Sequence, residues 1–189
     1  MRHWIVYLIL GTFWSLWASE PCAYCQEEPL CLGSCGYEFL LKAETPAEQL
    51  KARLILGKAW VLGDFHEGAA NLLSEALRET PLADPPLLAE AYYWLAQAYR
   101  RLHPDSAEYY YKRIRESSGA PVYWRAKASM ALSSLLREKN PTRAQSYAFE
   151  ALEAAKAAQD AELQALALNQ LSVLAADARQ YDKAQHYAE

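Results

Sequence analysis

Apolar and small residues recur every three or four positions from residue 46 onward, which is the spacing of one face of an α-helix. Ala69, Ala107, Ala144 and Ala184 lie 38, 37 and 40 residues apart, each near the start of a predicted helix. An apolar or small residue follows four positions after each of them. No stretch of the sequence alternates apolar and polar residues as a strand does. The pattern therefore predicts an all-α chain made of repeated helix pairs.

Signals for helix starts and ends agree with this periodicity. Thr45 and Glu48 have the spacing of a capping box around Pro46, and Asp84, Asp105 and Asn140 are expected to begin helices in a similar way. Proline and glycine residues separate the units. The predicted pairs are 46–62 with 65–79, 85–101 with 105–117, 121–138 with 141–158, and 160–179 with 182 onward. In the seventh of these helices, the buried face is predicted to carry Leu163, Leu166, Leu171 and Leu174.

The first 18 residues differ from all that follow. They contain one arginine and an apolar run from Trp4 to Trp17, and small and polar residues follow this run, which is the arrangement of a secretory signal peptide. The run is shorter than the ~18 residues that a spanning helix needs. We therefore expect an exported protein, periplasmic or extracellular. Membrane attachment is expected only if the signal is retained or the chain continues into an anchor.

A cysteine-rich segment, residues 19–44, contains every cysteine of the chain: Cys22, Cys25, Cys31 and Cys35. In an oxidising compartment such closely spaced thiols form disulfides, and the spacing matches no common zinc or iron–sulfur motif. Two disulfides are predicted, and all three possible pairings remain open. Gly33, Ser34 and Gly36 are expected to supply turns, and the stapled segment is expected to cap the helical region. A metal or redox module built on the same thiols is the alternative.

The repeats resemble tetratricopeptide (TPR) units over residues 46 to 189. The resemblance rests on a small residue and an aromatic three positions apart in the first helix, and on Ala, a bulky residue and a second small or apolar residue in the second helix. The first unit matches best, with Leu56, Gly57, Trp60, Ala69, Leu73, Ala76 and Pro81. The second follows with Ala96, Tyr99, Ala107, Tyr111 and Ile114. The third retains Leu132, Leu135, Ala144, Ala148 and Ala151, and the fourth has Tyr181, Ala184 and Ala188.

The resemblance implies an α-solenoid, a right-handed superhelix of about four helix pairs over residues 45–189. The units exceed the usual TPR length, and the last pair is incomplete, so we expect a longer protein.

In the TPR family the first helix of each pair lines a concave groove that binds peptides. Mapped onto this sequence, the resemblance implies a groove formed by Lys58, Tyr93, Gln97, Arg100, Ser133 and Asn169. The polar set with which some members bind a C-terminal carboxylate is not reproduced, because Leu54 occupies one of its positions.

Charge and motif content argue against several other functions. A net charge of −4 with only short basic groups does not indicate nucleic-acid binding. No nucleophile, phosphate-loop or dinucleotide motif is present, and no cofactor or metal is expected. His66 and Glu67 lie near Asp64, but Asp64 is interpreted as a helix cap rather than a metal ligand.

The sequence therefore predicts a non-enzymatic, exported scaffold that binds a protein or peptide segment. The alternative is the extracytoplasmic sensor region of a longer bacterial membrane-bound regulator, with a kinase or DNA-binding output beyond residue 189.

Overall fold

A computed structural model describes Cys22, Cys25 and residues 28–81 and 83–188. The proposed signal peptide, residues 1–18, lies outside these described residues. Within them the chain forms an α-solenoid of nine helices and no strand. The helices are α1 (Pro29–Lys42), α2 (Pro46–Leu62), α3 (His66–Glu79), α4 (Pro85–Leu102), α5 (Pro104–Glu116), α6 (Val122–Leu136), α7 (Pro141–Ala157), α8 (Ala161–Asp177) and α9 (Tyr181–Ala188). In this part of the chain no helix is long and apolar enough to span a bilayer.

Helices α2 to α9 form the four pairs that the hydrophobic pattern predicts, with boundaries shifted by at most two residues. Each helix packs against its neighbours in sequence. The first helices of successive pairs also contact one another, α2 with α4, α4 with α6, and α6 with α8. They therefore form a continuous layer, whose surface we call the first-helix face (α2, α4, α6 and α8). Helices α3, α5, α7 and α9 pack outside this layer.

The predicted alanine stripe is the contact surface of the second helices. In the first three pairs the stripe residues are at most 1% exposed, and they belong largely to a single apolar core that runs from α2 to α8: Ala69, Leu73, Ala76, Ala107, Tyr111, Ile114, Ala144, Ala148 and Ala151. Small side chains let the paired helices approach closely. In the fourth pair Ala184 is half-buried and Ala188 is exposed.

The cysteine-rich segment contains a helix that the sequence did not predict. Glu28 begins α1 by accepting hydrogen bonds from the backbone N–H groups of Leu30 and Cys31. Gly33 and Gly36, expected in turns, lie inside this helix, so that prediction was wrong. A Cβ at residue 36 would lie 3.2 Å from the backbone nitrogen of Leu56, so glycine serves here for close packing against α2.

Two disulfides join α1 to the residues before it. Cys22 pairs with Cys35 and Cys25 with Cys31, at Cα separations of 5.8 and 5.4 Å. The buried sulfurs pack with Leu32 against Ala59 of α2. Helix α1 thus packs against α2 and precedes it in the chain, as a second helix of a preceding unit would.

The helix starts agree only partly with the sequence signals. The capping box of Thr45 and Glu48 is present, and Asn140 accepts a hydrogen bond from the N–H of Arg143. Asp84, however, makes no capping hydrogen bond, and α5 begins at Pro104 after His103 rather than after Asp105. Asp64 does not cap α3, which begins after Phe65.

Candidate functional site

The candidate site is a cavity on the first-helix face, where the C-terminal ends of α2, α4 and α6 come together. Its volume is about 790 Å³. Three helix ends, the turns that follow them and the first residue of α3 contribute its walls, so no single repeat forms it. The lining residues are Val61, Leu62, Asp64, His66, Gln97, Arg100, Arg101, Ser134, Leu135, Arg137, Glu138 and Lys139.

Of the six residues predicted to line a groove, the cavity contains Gln97 and Arg100. Gln97 donates a hydrogen bond of 2.8 Å from its Nε2 to the hydroxyl of Tyr93, which itself is buried beneath the surface. The Lys58 ammonium lies 5.3 Å from the centroid of the Trp94 ring, an attractive cation–π distance. Lys58 and Tyr93 therefore lie on first helices but outside the cavity lining.

The other two predicted residues are placed differently. Ser133 is 0% exposed, and its hydroxyl accepts a hydrogen bond of 3.4 Å from Gln170 of α8. Ser133 therefore offers no surface to a ligand. The next residue in the helix, Ser134, points in a different direction and does line the cavity. Asn169 is exposed on α8, away from this cavity. Placing Ser133 on an open groove was therefore incorrect.

The mapped positions missed most of the charged residues of the cavity. Asp64, which follows α2 with a φ of 65°, contacts both Arg101 (2.6 Å) and His66 (3.0 Å). Arg137 contacts Asp177 of α8 at 3.3 Å. One signal was available, since Arg100 and Arg137 are separated by 37 residues, which is one repeat length.

A buried tyrosine lies near Arg100 of the cavity. Tyr111 is 0% exposed, and its hydroxyl has no hydrogen-bond partner among the described residues. Burial raises the pKa of Tyr111, nearby Tyr93 raises it further, and Arg100 opposes the shift. The hydroxyl is therefore neutral near pH 7, and Arg100 lies close enough to influence it.

Two runs of three aromatic residues, 92–94 and 109–111, serve mainly for packing between α4 and α5. Tyr110 stacks between Tyr92 and Tyr99, with ring centroids 5.6 and 6.0 Å apart. Tyr93 and Trp94 are buried, while Tyr109 is 57% exposed. Stacked aromatic rings stabilise a helix interface beyond the area that they bury.

Candidate metal ligands are dispersed in the described part of the chain. No group of three or more His, Cys, Asp or Glu side chains there is placed to hold a metal ion. All four cysteines are in disulfides, and Asp64 is engaged by Arg101.

Comparison with known proteins identifies the fold. No family model matches the sequence, and a search of curated proteins finds no match. Among solved structures, the chain resembles a Podosopora anserina protein described as a kinesin light chain with nearly identical TPR-like repeats, at 15% identity and a TM-score of 0.59. A variant of that protein gives the same identity and a TM-score of 0.60; in both cases the match covers 86% of this chain and 82% of the other. The protein is thus a TPR-like α-solenoid, the class of fold that the repeat pattern predicted.

Proposed function

We propose that this protein is a non-enzymatic interaction scaffold that binds a protein or peptide segment on its first-helix face. The observation that carries the proposal is the cavity of about 790 Å³ shared by three successive first helices. A binding site assembled from several repeats can contact several positions of an extended ligand. Its apolar walls and charged rim provide the mixture of contacts found in binding sites.

Peptide selection against the folded protein tests this proposal. Random peptides displayed on phage would be selected on the wild type and then titrated against two variants with matched exposure. Leu62 lines the cavity and is 38% exposed, whereas Phe149, on the second helix α7, is 39% exposed. We expect Leu62→Trp to fill the cavity and weaken binding by about ten-fold or more, equivalent to ~1.4 kcal/mol. Phe149→Trp should leave binding unchanged.

Other outcomes would contradict the assignment. Peptides that bind Leu62→Trp as well as wild type but are lost with Phe149→Trp would place binding on the second helices. A selection that enriches no peptide would remove the support for a peptide-binding scaffold.

We further propose that the protein is exported to an oxidising compartment. The proposal is supported by the signal-like residues 1–18 and by the pairing of all four cysteines. The test is a count of reactive thiols in protein taken from its native source and unfolded without reductant. We expect none; four free thiols would indicate a reducing compartment.

A further inference from the structure

The cavity on the first-helix face has a charge opposite to that of the whole chain. The chain has a net charge of −4, yet four cationic side chains line the cavity against two carboxylates. The cations are Arg100, Arg101, Arg137 and Lys139, and the carboxylates are Asp64 and Glu138. The charge excess is therefore local and positive.

The four cations are not equivalent. Arg101 is paired with Asp64, and Arg137 with Asp177. Arg100 and Lys139 make no ion pair with any described residue, and both side chains are exposed. Glu138 is likewise outside an ion pair, so two unpaired cations face one unpaired carboxylate. An incoming anion can therefore bind without first breaking an existing salt bridge.

The stabilisation of helix ends by cations explains part of the positive charge of the cavity, but it does not explain the arrangement of the cations. Cations in the last turn of a helix interact favourably with its dipole, and Arg100 is in the last turn of α4. Arg78 occupies the equivalent place at the end of α3 and does not line the cavity. What distinguishes Arg100 is the adjacent apolar wall of Val61, Leu62 and Leu135. Apolar surroundings reduce screening by water and strengthen a contact between a guanidinium and a carboxylate.

We propose that this cavity recognises the carboxylate side chains of an acidic peptide segment, with Arg100 and Lys139 making the charged contacts. The inference rests on the proposed function and specifies the chemistry of the ligand. The available volume of about 790 Å³ accommodates several side chains of an extended peptide. The apolar wall favours a segment in which acidic and apolar residues alternate.

The test uses two fluorescein-labelled dodecapeptides in which leucine alternates with either glutamate or glutamine. Fluorescence anisotropy with the full chain should give an affinity for the glutamate peptide about ten-fold higher or more, with the difference decreasing as salt is raised. Arg100→Gln and Lys139→Gln should each weaken binding of the glutamate peptide by about three-fold or more. Arg78→Gln is the matched control, because it removes one charge from an equivalent helix end outside the cavity. Circular dichroism confirms that each variant is folded.

Several results would overturn the inference, and they differ from those that overturn the proposed function. An equal loss with Arg78→Gln and Arg100→Gln would mean that only net charge matters. Equal affinity for the two peptides, with both blocked by Leu62→Trp, would keep the peptide-binding scaffold but reject acidic recognition. If display-selected peptides bind but neither dodecapeptide does, the result would also keep the peptide-binding scaffold and reject acidic recognition. If oligouridylate displaced the glutamate peptide with higher affinity and depended on Arg100, the site would be one for phosphate.

Discussion

Gly57 lies at a point where the first helix pair packs closely. A Cβ at this position would lie 2.7 Å from two carbon atoms of the Leu73 side chain, which is 0% exposed. Glycine inside a helix carries an entropic cost, so its presence in α2 is explained by the close approach of α3.

We predict that Gly57→Ala destabilises the protein by about 1–3 kcal/mol, because overpacking outweighs the gain in helix propensity. Gly33→Ala is the matched control in α1, where the nearest atom to a new Cβ is 3.9 Å away. That variant should be neutral or more stable by up to ~1 kcal/mol. Urea unfolding of both variants measures the difference. Equal stability of the two would mean that α2 and α3 are not packed as closely as described.

Single residues also show where the sequence pattern did not predict correctly which side chains are buried. Leu166 was predicted to be buried with Leu163, Leu171 and Leu174, but it is 45% exposed. Ala167 takes its place, because Leu163, Ala167 and Leu171 are each four residues apart and lie on one helical stripe. A prediction based on leucine residues alone misses Ala167, although small residues mark the buried stripe throughout the chain.

At the scale of helices, the sequence predicted eight helices well because their apolar periodicity is interrupted by the prolines and glycines between units, even where the expected capping residues do not cap. It missed α1 for a physical reason. The glycines of residues 33 and 36 favour turns when considered locally, whereas contact with α2 and the bonds Cys22–Cys35 and Cys25–Cys31 hold the segment as a helix. Long-range contacts of this kind leave no periodic signal in 14 residues.

Capping residues with similar sequence context differ in what they contribute. Asp160 accepts a hydrogen bond of 3.0 Å from the N–H of Leu163 at the start of α8, whereas Asp84 makes no such bond at the start of α4. We predict that Asp160→Ala costs about 1 kcal/mol and Asp84→Ala less than ~0.5 kcal/mol. Thermal unfolding of the two variants gives the comparison. A larger loss with Asp84→Ala would contradict the assignment of caps.

At the scale of the molecule, the repeats explain why the fold was predictable and the cavity only partly so. A repeat needs the same buried residues in every unit, and these recur at 37 to 40 residues in the sequence. The cavity instead depends on how the ends of α2, α4 and α6 converge. Arg101, Arg137 and Lys139 come together only when the second and third units stack, and a position-by-position mapping found Gln97 and Arg100 alone.

The same architecture predicts which helices lose stability when one core residue is replaced. Leu50 is 1% exposed in α2, and its replacement by alanine should cost ~2–5 kcal/mol through the cavity left in the core. Because each helix contacts only near neighbours, the loss should concentrate in the units that adjoin α2. Hydrogen exchange followed by mass spectrometry should show faster exchange in α1 to α4 of Leu50→Ala and little change in α8. A uniform increase in exchange rate along the chain would instead show that the solenoid opens as a single cooperative unit. In that case a ligand in the cavity at α2, α4 and α6 would stabilise the distant helices as much as the near ones.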